Sequence, residues 1–453
     1  MKAAIVALLL GLIAAAPAGA QDAAPPGTTH AAGRTSAGAR WIMDMPANWN
    51  GTVLLWSRGY AGGTAPPEPE DAPRGMKPWL LANGYALAGS SYSSAGWAVE
   101  QAVPDQLATL AAFAARFGQA KRAIAWGDSM GGMVTVALAE RAPGKFAGAL
   151  PMCGSVGGAV GMMNVALDGA FAFKTLAAPG ADIDLVNVRD DLRNAQAVKA
   201  ALDAARATPQ GRARVALAGA LAQLPAWTDP KAAEPAASDF ATQEAEAAKT
   251  FGMGVFLPRT DQEKRGGGAF SWNVGVDYRA QLKLSGRQPY VASLYRAAGL
   301  DLDKDLATLN AAPRIAAVPA AVAYMKANYT PSGELRIPVL SMHTLGDGLT
   351  SVNGEQGFAA AARAAGRADN LEVLYVRGAG HCAFTTAERA AALATLMNRL
   401  DNGHWSARPA DLQRRAALLK LGEARFTSAT PAPFLRPCTT RQKQCAGEPS
   451  RHE

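Results

Sequence analysis

The chain lacks the sequence features that mark membrane-spanning, zinc-binding and nucleic-acid-binding proteins. After residue 20 it has no run of eighteen apolar residues, which excludes an ordinary transmembrane helix. Its four cysteines never stand in C-x₂-C spacing, so we expect no metal site, and we expect no cofactor. The net charge of +8 is spread along the chain without an arginine-rich block or interleaved aromatics, so nucleic acid is not an expected partner.

The first twenty residues have the pattern of a signal peptide. Lys2 is followed by an apolar run at 3–16, and Ala18-Gly19-Ala20 forms an A-x-A cleavage site. We therefore expect an exported protein, periplasmic or secreted, without stable membrane anchoring. An uncleaved N-terminal anchor is the alternative.

The rest of the chain alternates between strand-like and helix-like segments, with one interruption. Short apolar runs such as Thr52–Ser57 and Arg122–Trp126 alternate with helical stretches up to about residue 155, and the alternation resumes at 337–343 and 371–376. Between them, helical periodicity dominates. This predicts an α/β fold with a doubly wound, mostly parallel sheet and an inserted, mostly helical cap. The predicted units are a signal peptide (1–20), a core in two parts (21–156 and 331–425), a cap (157–330) and an irregular C-terminal tail (426–453).

A candidate nucleophile lies in Gly127-Asp128-Ser129-Met130-Gly131. This G-x-S-x-G pattern follows a predicted strand and opens a predicted helix, where a sharp turn exposes the central hydroxyl and small flanking residues relieve crowding. The N–H of Met130, at the helix N-terminus, is then expected to face a developing oxyanion. The alternative is a glycine-rich turn with a capping serine.

The base is expected to be His381. Imidazole can accept and return a proton near neutral pH, and the chain has five histidines. His30 and His452 lie near the ends of the chain, His404 follows a predicted helix, and His343 is inside a predicted strand. Only His381 stands in a glycine-rich loop directly after a strand.

The orienting acid is expected to be Asp347. It follows the strand at 337–343 within Gly346-Asp347-Gly348, although such a sequence is also ordinary turn chemistry. Asp369 precedes the last strand and so faces the other end of the sheet. The order Ser129, Asp347, His381 is the chain order of α/β-hydrolase triads.

With these motifs, residues 40–155 and 331–425 resemble the α/β-hydrolase superfamily, in particular exported serine hydrolases of the prolyl-oligopeptidase-like or carboxylesterase type. The resemblance implies a second oxyanion donor in the loop after the early strand. Tyr60 N–H is the expected donor and Gly59 the alternative; Arg58 stands where such enzymes often have histidine.

The cysteines form two pairs of candidates for disulfides. Cys438 and Cys445 are seven residues apart in a polar tail and suit a local bridge. His381-Cys382 resembles the tannase and feruloyl-esterase family, in which that cysteine bridges to one before the serine, but here Asp128 precedes Ser129. Either Cys153, at the end of a neighbouring strand, bridges to Cys382, or both are buried thiols.

The function predicted from these residues is hydrolysis of a carboxylic ester, small or oligomeric, through an acyl-enzyme. Cap aromatics could form an acyl-binding surface or simply the cap core; they are Trp227, Phe270, Trp272 and Tyr278. An exported peptidase is the alternative, with Asp182 and Asp184 or the acids of 301–305 as possible anchors for a free amino terminus. A non-catalytic binding protein is the third hypothesis.

Overall fold

The computed structural model describes residues 24–442 and 444–448. The predicted signal peptide, residues 1–20, lies outside the described residues, as does His452. Within the described ranges, no helix has both the length and the apolar character needed to cross a membrane. Export of the chain therefore stays a prediction.

The described strands form one nine-stranded sheet in the order β1-β2-β4-β3-β5-β6-β7-β8-β9. They are β1 (Thr29–Arg34), β2 (Arg40–Met45), β3 (Thr52–Ser57), β4 (Ala86–Ser90), β5 (Arg122–Asp128), β6 (Gly148–Met152), β7 (Val339–Gly346), β8 (Leu371–Ala379) and β9 (Phe426–Thr427). Strands β3 to β8 are parallel, whereas β1, β2 and β9 pair antiparallel at the two edges. The predicted mostly parallel α/β sheet is confirmed, and the edge strands are additions to it.

Both faces of the sheet are covered by apolar side chains. Every residue of β3 is buried, and its side chains alternate between two hydrophobic clusters. Val53 and Leu55 pack in one cluster, and Leu54 and Trp56 pack in the other. Burial on both faces explains why the central strands appear as continuous apolar runs in the sequence.

Fifteen α-helices occur among the described residues. The core helices are α1 (Lys77–Ala82), α2 (Val99–Phe117), α3 (Met130–Arg141), α13 (Gly354–Ala364), α14 (Thr386–Asn402) and α15 (Pro409–Leu419). Between β6 and β7 lie α4 (Ala159–Ala172), α5 (Asp191–Arg206), α6 (Pro209–Leu221), α7 (Phe240–Val255), α8 (Thr260–Gly266), α9 (Tyr278–Leu284), α10 (Gln288–Ala297), α11 (Leu302–Ala311) and α12 (Pro319–Tyr329).

The segment between β6 and β7 has a hydrophobic cluster of its own. Helix α6 is buried from Val215 to Leu221 and packs against α4, α5, α7 and α10. A helix that is apolar on all sides is expected at the centre of a helical bundle. The boundaries of a separate cap domain stay a prediction.

The C-terminal segment, residues 428–448, joins the sheet domain to these helices. Phe434 fits against Gly161 of α4 and Gly357 of α13, where a Cβ on either glycine would overlap its ring. The Arg436 guanidinium is buried and donates to both carboxylate oxygens of Asp168 in α4, at 3.0 and 2.8 Å. Trp272 donates from its indole N–H to the Ala446 carbonyl. The predicted irregular tail therefore begins with β9 and is anchored by buried polar contacts.

Loss of the Arg436 guanidinium should destabilise the fold in a pH-dependent manner. Burial raises the pKa of Asp168 to about 6, and the charge of Arg436 opposes that rise. Arg436→Met leaves a buried carboxylate unpaired, and we expect the free energy of unfolding to fall by about 3–5 kcal/mol at pH 8. When folding raises the pKa of a carboxyl, stability is lost as pH rises from the pKa of the unfolded chain through the pKa of the folded protein. The stability lost in Arg436→Met should therefore be smaller at pH 5.

Urea unfolding at the two pH values measures this effect. The control is Arg436→Met combined with Asp168→Asn, which removes the unpaired charge and should recover much of the loss. A deficit that is equal at both pH values, and equal in the single and double variants, would contradict the account.

Candidate active site

The turn between β5 and α3 holds Ser129 in a strained conformation. Its backbone has φ 59° and ψ −124°, a region that residues with a side chain rarely occupy. A Cβ on either Gly127 or Gly131 would overlap the carbonyl oxygen of Ser57 at the end of β3. The glycines of the G-x-S-x-G pattern are therefore required by close backbone approach, as their spacing indicated.

The three residues selected from the sequence lie together at the carboxyl end of the parallel strands. His381 Nε2 is 2.9 Å from Ser129 Oγ, and His381 Nδ1 is 2.8 Å from Asp347 Oδ2. A carboxylate only accepts, so Nδ1 donates to Asp347 and Nε2 is left to accept from the serine hydroxyl. An unbroken hydrogen-bonded series thus runs from the serine to the acid.

Asp347 is held on both of its oxygens. Oδ1 accepts the N–H groups of Leu349 and Thr350, each at 2.9 Å, so this residue is at once the partner of the histidine and the turn residue that its glycines suggested. Although burial raises the pKa of Asp347, the facing imidazoles of His381 and His343 lower it to well below its usual range. The carboxylate therefore stays ionised throughout the ordinary pH range.

A second, wholly buried pair lies behind Asp347. His343 Nε2 is 2.8 Å from the Thr350 carbonyl, and His343 Nδ1 is 3.0 Å from Glu355 Oε1. Burial opposes a charge on His343, but the carboxylates of Asp347, 3.6 Å from Nε2, and of Glu355 raise its pKa to about 10. The Thr350 carbonyl can only accept, so Nε2 donates to it, and the raised pKa favours a second proton on Nδ1, which faces Glu355.

Glu355 was not selected from the sequence, although a signal was present. It lies near the start of α13, on the same buried face as Phe358 and Ala362. An acid at i, i+3, i+7 spacing with apolar residues is unusual on a buried helix face. His343 lies inside a strand, as the sequence predicts; it is fully buried there and lies 3.6 Å from the acid of the site.

Two links hold the loop that bears His381: a covalent one to the end of β6 and an ionic one to the nucleophile turn. A disulfide joins Cys382 to Cys153, at the end of β6. Arg389, in α14, makes a bidentate ion pair with Asp128, at 2.7 Å for each nitrogen, and also donates to the Cys382 carbonyl. Asp128 thus occupies the position of the cysteine expected from tannase-like sequences and forms an ion pair instead.

The two candidate oxyanion donors, Met130 and Tyr60, belong to segments that adjoin the nucleophile. Met130 is the first residue of α3 and is buried, as required of a residue whose N–H faces the site. A Cβ built on Gly59 would lie 3.8 Å from Ser129 Oγ, so the loop after β3 adjoins the nucleophile. Tyr60 follows in this loop.

The second disulfide links Cys438 and Cys445.

Of the two alternatives for the cap aromatics, burial in a core, and not an acyl-binding surface, holds for three of the four residues. Phe270, Trp272 and Tyr278 are fully buried in the hydrophobic clusters, and Tyr278 accepts a hydrogen bond from Asn273. They are core residues, because a large aromatic ring gains most stability from complete burial. Trp227 is partly exposed.

The carboxylates proposed as anchors for a peptide amino terminus are already engaged. Asp182 pairs with Arg193, and Asp305 pairs with Arg214 at 2.8 Å. Asp301 caps α11 through the N–H of Lys304. These acids therefore serve helix caps and ion pairs in the helical segment.

In the part of the chain that the structure describes, potential metal ligands cluster only where cysteines are bridged. Among the described residues, two groups of three potential ligands occur, one around Asp128 and the other around Glu448, and each contains both sulfurs of a disulfide. A bridged sulfur is not a thiolate, so neither group offers the ligand set of a zinc site.

Removal of the Cys153–Cys382 disulfide should reduce both stability and rate. The bridged residues are 229 apart in the chain, and loss of such a bridge is expected to lower the free energy of unfolding by about 2–5 kcal/mol. Displacement of His381 should lower kcat on the order of tenfold to a hundredfold. The comparison is Cys153→Ala/Cys382→Ala against Cys438→Ala/Cys445→Ala, which removes a short local bridge. Equal kcat values in the two double variants would show that the first bridge does not position the histidine.

Loss of Glu355 should move the pH profile of the site. In Glu355→Gln, His343 loses one of the two carboxylates that raise its pKa, so it holds its proton less tightly, and a neutral His343 no longer lowers the pKa of Asp347. The acid limb of kcat/KM should therefore move to higher pH. Glu372→Gln, on β8, is the control and should leave the profile unchanged. An unchanged acid limb in Glu355→Gln would exclude an electrostatic effect of the buried pair.

A known amidase is similar to this chain in sequence, and several solved structures are similar to it in structure. No protein-family model matches the chain. The o-phthalyl amidase of Xanthobacter agilis is 30% identical over 428 residues, which cover 86% of this chain and 91% of that protein.

Similar solved structures include feruloyl esterase B from Aspergillus oryzae, with 14% identity, coverage of 83% of this chain and 82% of that one, and a TM-score of 0.41. Another is the acylaminoacyl peptidase of Pyrococcus horikoshii, with 9% identity, coverage of 89% and 43%, and a TM-score of 0.35. From its sheet topology and its similarity to o-phthalyl amidase along most of both sequences, the chain is a hydrolase that belongs to the α/β-hydrolase superfamily, in the family of that amidase.

Proposed function

We propose that this hydrolase cleaves carboxylic amides through an acyl-enzyme on Ser129, with His381 as general base and acid and Asp347 as the orienting carboxylate. The observation that supports the proposal is the continuous hydrogen-bonded series from Ser129 Oγ through His381 to Asp347. A nucleophile, a base and a group that orients the base, each within hydrogen-bonding distance of the next, form the minimal machinery of acyl transfer.

The proposed reaction proceeds in two halves. His381 Nε2 takes the Ser129 proton as Oγ attacks the carbonyl carbon, and buried Asp347 stabilises the imidazolium that forms. Backbone N–H groups of Met130 and Tyr60 bind the oxyanion. His381 then protonates the departing amine, which leaves an ester on Ser129, and the same imidazole activates the water that hydrolyses this ester.

The substrate proposed first is an amide of an aromatic acid. This choice follows from the name of the relative, an o-phthalyl amidase, whose similarity spans most of both chains. Ester hydrolysis, which was predicted from the sequence, belongs to the same proposal, because an ester of that acid would give the same acyl-enzyme. The peptidase and non-catalytic hypotheses give different outcomes in the assay below.

Export is also part of the proposal. Two disulfides link all four cysteines of the chain. Stable disulfides are typical of oxidising compartments, so they are compatible with a periplasmic or secreted protein. A mature N-terminus at Gln21 in protein recovered from outside the cytoplasm would support this part of the proposal.

Labelling by a fluorophosphonate probe should depend on Ser129. We expect the wild type to be labelled and Ser129→Ala not to be, with a fall in kcat of about 10⁴- to 10⁶-fold. Asp347→Asn should still be folded but lose about 10⁴-fold in kcat, because the histidine is left in the wrong tautomer. Ser428→Ala, an exposed serine of the C-terminal segment, is the control and should be labelled as the wild type is.

A panel of chromogenic substrates then identifies the bond and the acid. It consists of the mono-p-nitroanilides of phthalic and terephthalic acid, benzoyl p-nitroanilide, p-nitrophenyl benzoate and an aminoacyl p-nitroanilide. Highest kcat/KM on the phthalic anilide supports the aromatic amidase. Turnover of esters alone would favour the esterase, and turnover of aminoacyl anilides alone would favour the peptidase. Absence of both labelling and turnover would contradict the proposed function.

A further inference from the structure

Arg58 has a buried guanidinium whose hydrogen bonds, within the described part of the chain, all go to neutral acceptors. It follows β3 directly, and only 3% of the residue is exposed. Its Nε and Nη2 donate to the carbonyl of Ser91, at 3.2 and 2.7 Å, and its Nη1 donates to the carbonyl of Gly59, at 2.9 Å. The charge of Glu70 favours the guanidinium from a distance, but among the described residues no carboxylate oxygen is hydrogen-bonded to it. A buried cation without such a partner is costly, so its presence in the loop next to the nucleophile calls for a physical account.

The surroundings hold this cation firmly in place. The guanidinium lies 4.4 Å from the centre of the Tyr92 ring, and the Tyr92 hydroxyl donates to the Arg58 carbonyl. Tyr92 is fully buried and has φ 58°, a strained value for a residue with a side chain. Burial lowers the pKa of Arg58, but an arginine remains charged under all ordinary conditions.

The acceptor Gly59 is the part of this arrangement that concerns the site. The Gly59 carbonyl belongs to the same peptide unit as the N–H of Tyr60, and no cis peptide bond occurs among the described residues. In a trans peptide the C=O and the N–H point in opposite directions, so a group that fixes the oxygen also fixes the direction of the N–H. The loop adjoins the nucleophile, since a Cβ on Gly59 would lie 3.4 Å from Ser129 Cβ.

We propose that Arg58 is a positioning residue for the oxyanion hole: its guanidinium fixes and polarises the Gly59–Tyr60 peptide, so that Tyr60 N–H binds the oxyanion. The inference rests on the proposed function, because it concerns the same acyl transfer. A charge-assisted hydrogen bond to the carbonyl strengthens the N–H of that peptide as a donor. A fixed positive charge in a water-poor site also favours the negative charge that develops in the transition state.

Arginine is suited to this role for a geometric reason. Its planar fork spans the Ser91 carbonyl with two nitrogens and the Gly59 carbonyl with a third. Lysine presents one nitrogen and cannot hold both carbonyls in the same manner. Histidine, which similar enzymes often have at this position, is shorter and lacks the permanent charge.

The test compares Arg58→Met and Arg58→Lys with Arg259→Met. Arg259 is the matched control, because it is also 3% exposed and its guanidinium donates only to a hydroxyl and a carbonyl, those of Ser271 and Met163. We expect Arg58→Met to lower kcat by about 10- to 100-fold with KM within threefold, which is less than direct loss of an oxyanion donor. Arg58→Lys should fall between it and the wild type, and Arg259→Met should retain kcat.

A second readout separates positioning from loss of structure. A trifluoromethyl ketone analogue of the substrate adds to Ser129 and forms an oxyanion, so its affinity should fall in Arg58→Met by the same factor as kcat/KM. The neutral alcohol obtained by reducing that ketone cannot form an oxyanion with Ser129, so it should keep its affinity. Guanidinium ion should restore part of the kcat that Arg58→Ala loses and should leave the kcat of Arg259→Ala unchanged.

The outcomes distinguish failure of this inference from failure of the proposed function. If wild-type Ser129 is labelled and active but Arg58→Met keeps its kcat, or loses affinity for the ketone and the alcohol equally, the role of Arg58 is refuted and the proposed function stands. If Arg58→Met does not fold, Arg58→Lys and the rescue of Arg58→Ala by guanidinium decide the question. A wild-type kcat in Arg58→Lys, together with no gain in the kcat of Arg58→Ala on addition of guanidinium, refutes the role of Arg58. If wild-type Ser129 is neither labelled nor active, the proposed function itself fails.

Discussion

The conformation of one residue, Ser129, determines how the rest of the site is built. Its φ of 59° is costly, on the order of 1–3 kcal/mol for a residue with a side chain, and it persists only because the surrounding structure enforces it. The turn is enclosed by the backbone of Ser57 and by the start of α3, with room only for glycine at 127 and 131. Because β5 is central in the sheet, the loops that follow β3, β6, β7 and β8 all end near this turn. The residues that act on the serine come from those loops.

A series of buried charges holds these loops in register. Asp128 pairs with Arg389, Asp347 faces His381 and His343, and Glu355 compensates the charge of His343. Each of these pairs links a residue at the carboxyl end of a parallel strand to a neighbouring loop or helix. Buried ion pairs contribute little net stability, but breaking one is costly, so they penalise any displacement of the elements they join. The disulfide from Cys382 to Cys153 adds a covalent link at the loop that bears the histidine.

Much of the architecture could be predicted from the sequence because its signals are local. The buried parallel strands appear as apolar runs, and the glycine pattern, the strand before it and the helix after it identify the nucleophile turn. The order of the three loops then selects Asp347 and His381. The edge strands β1, β2 and β9 were missed, because they are short or partly exposed and lack a continuous apolar run.

The features that could not be predicted depend on contacts between distant parts of the chain. Nothing in the sequence around Arg389 indicates that it pairs with Asp128, 261 residues away. The partners of Arg58 and the burial of Phe270, Trp272 and Tyr278 are also decided by tertiary packing. An aromatic residue has the same local pattern in a core as on a binding surface, so only the fold distinguishes the two.

The most direct test of the account is to trap the acyl-enzyme. Wild-type protein mixed with the phthalic mono-p-nitroanilide and quenched with acid within one turnover should gain the mass of one acyl group. Peptide mapping should place that group on Ser129, in the peptide that contains Gly127 and Gly131. An acyl group on any other residue, or turnover of the substrate without a covalent adduct at Ser129, would contradict the central claim.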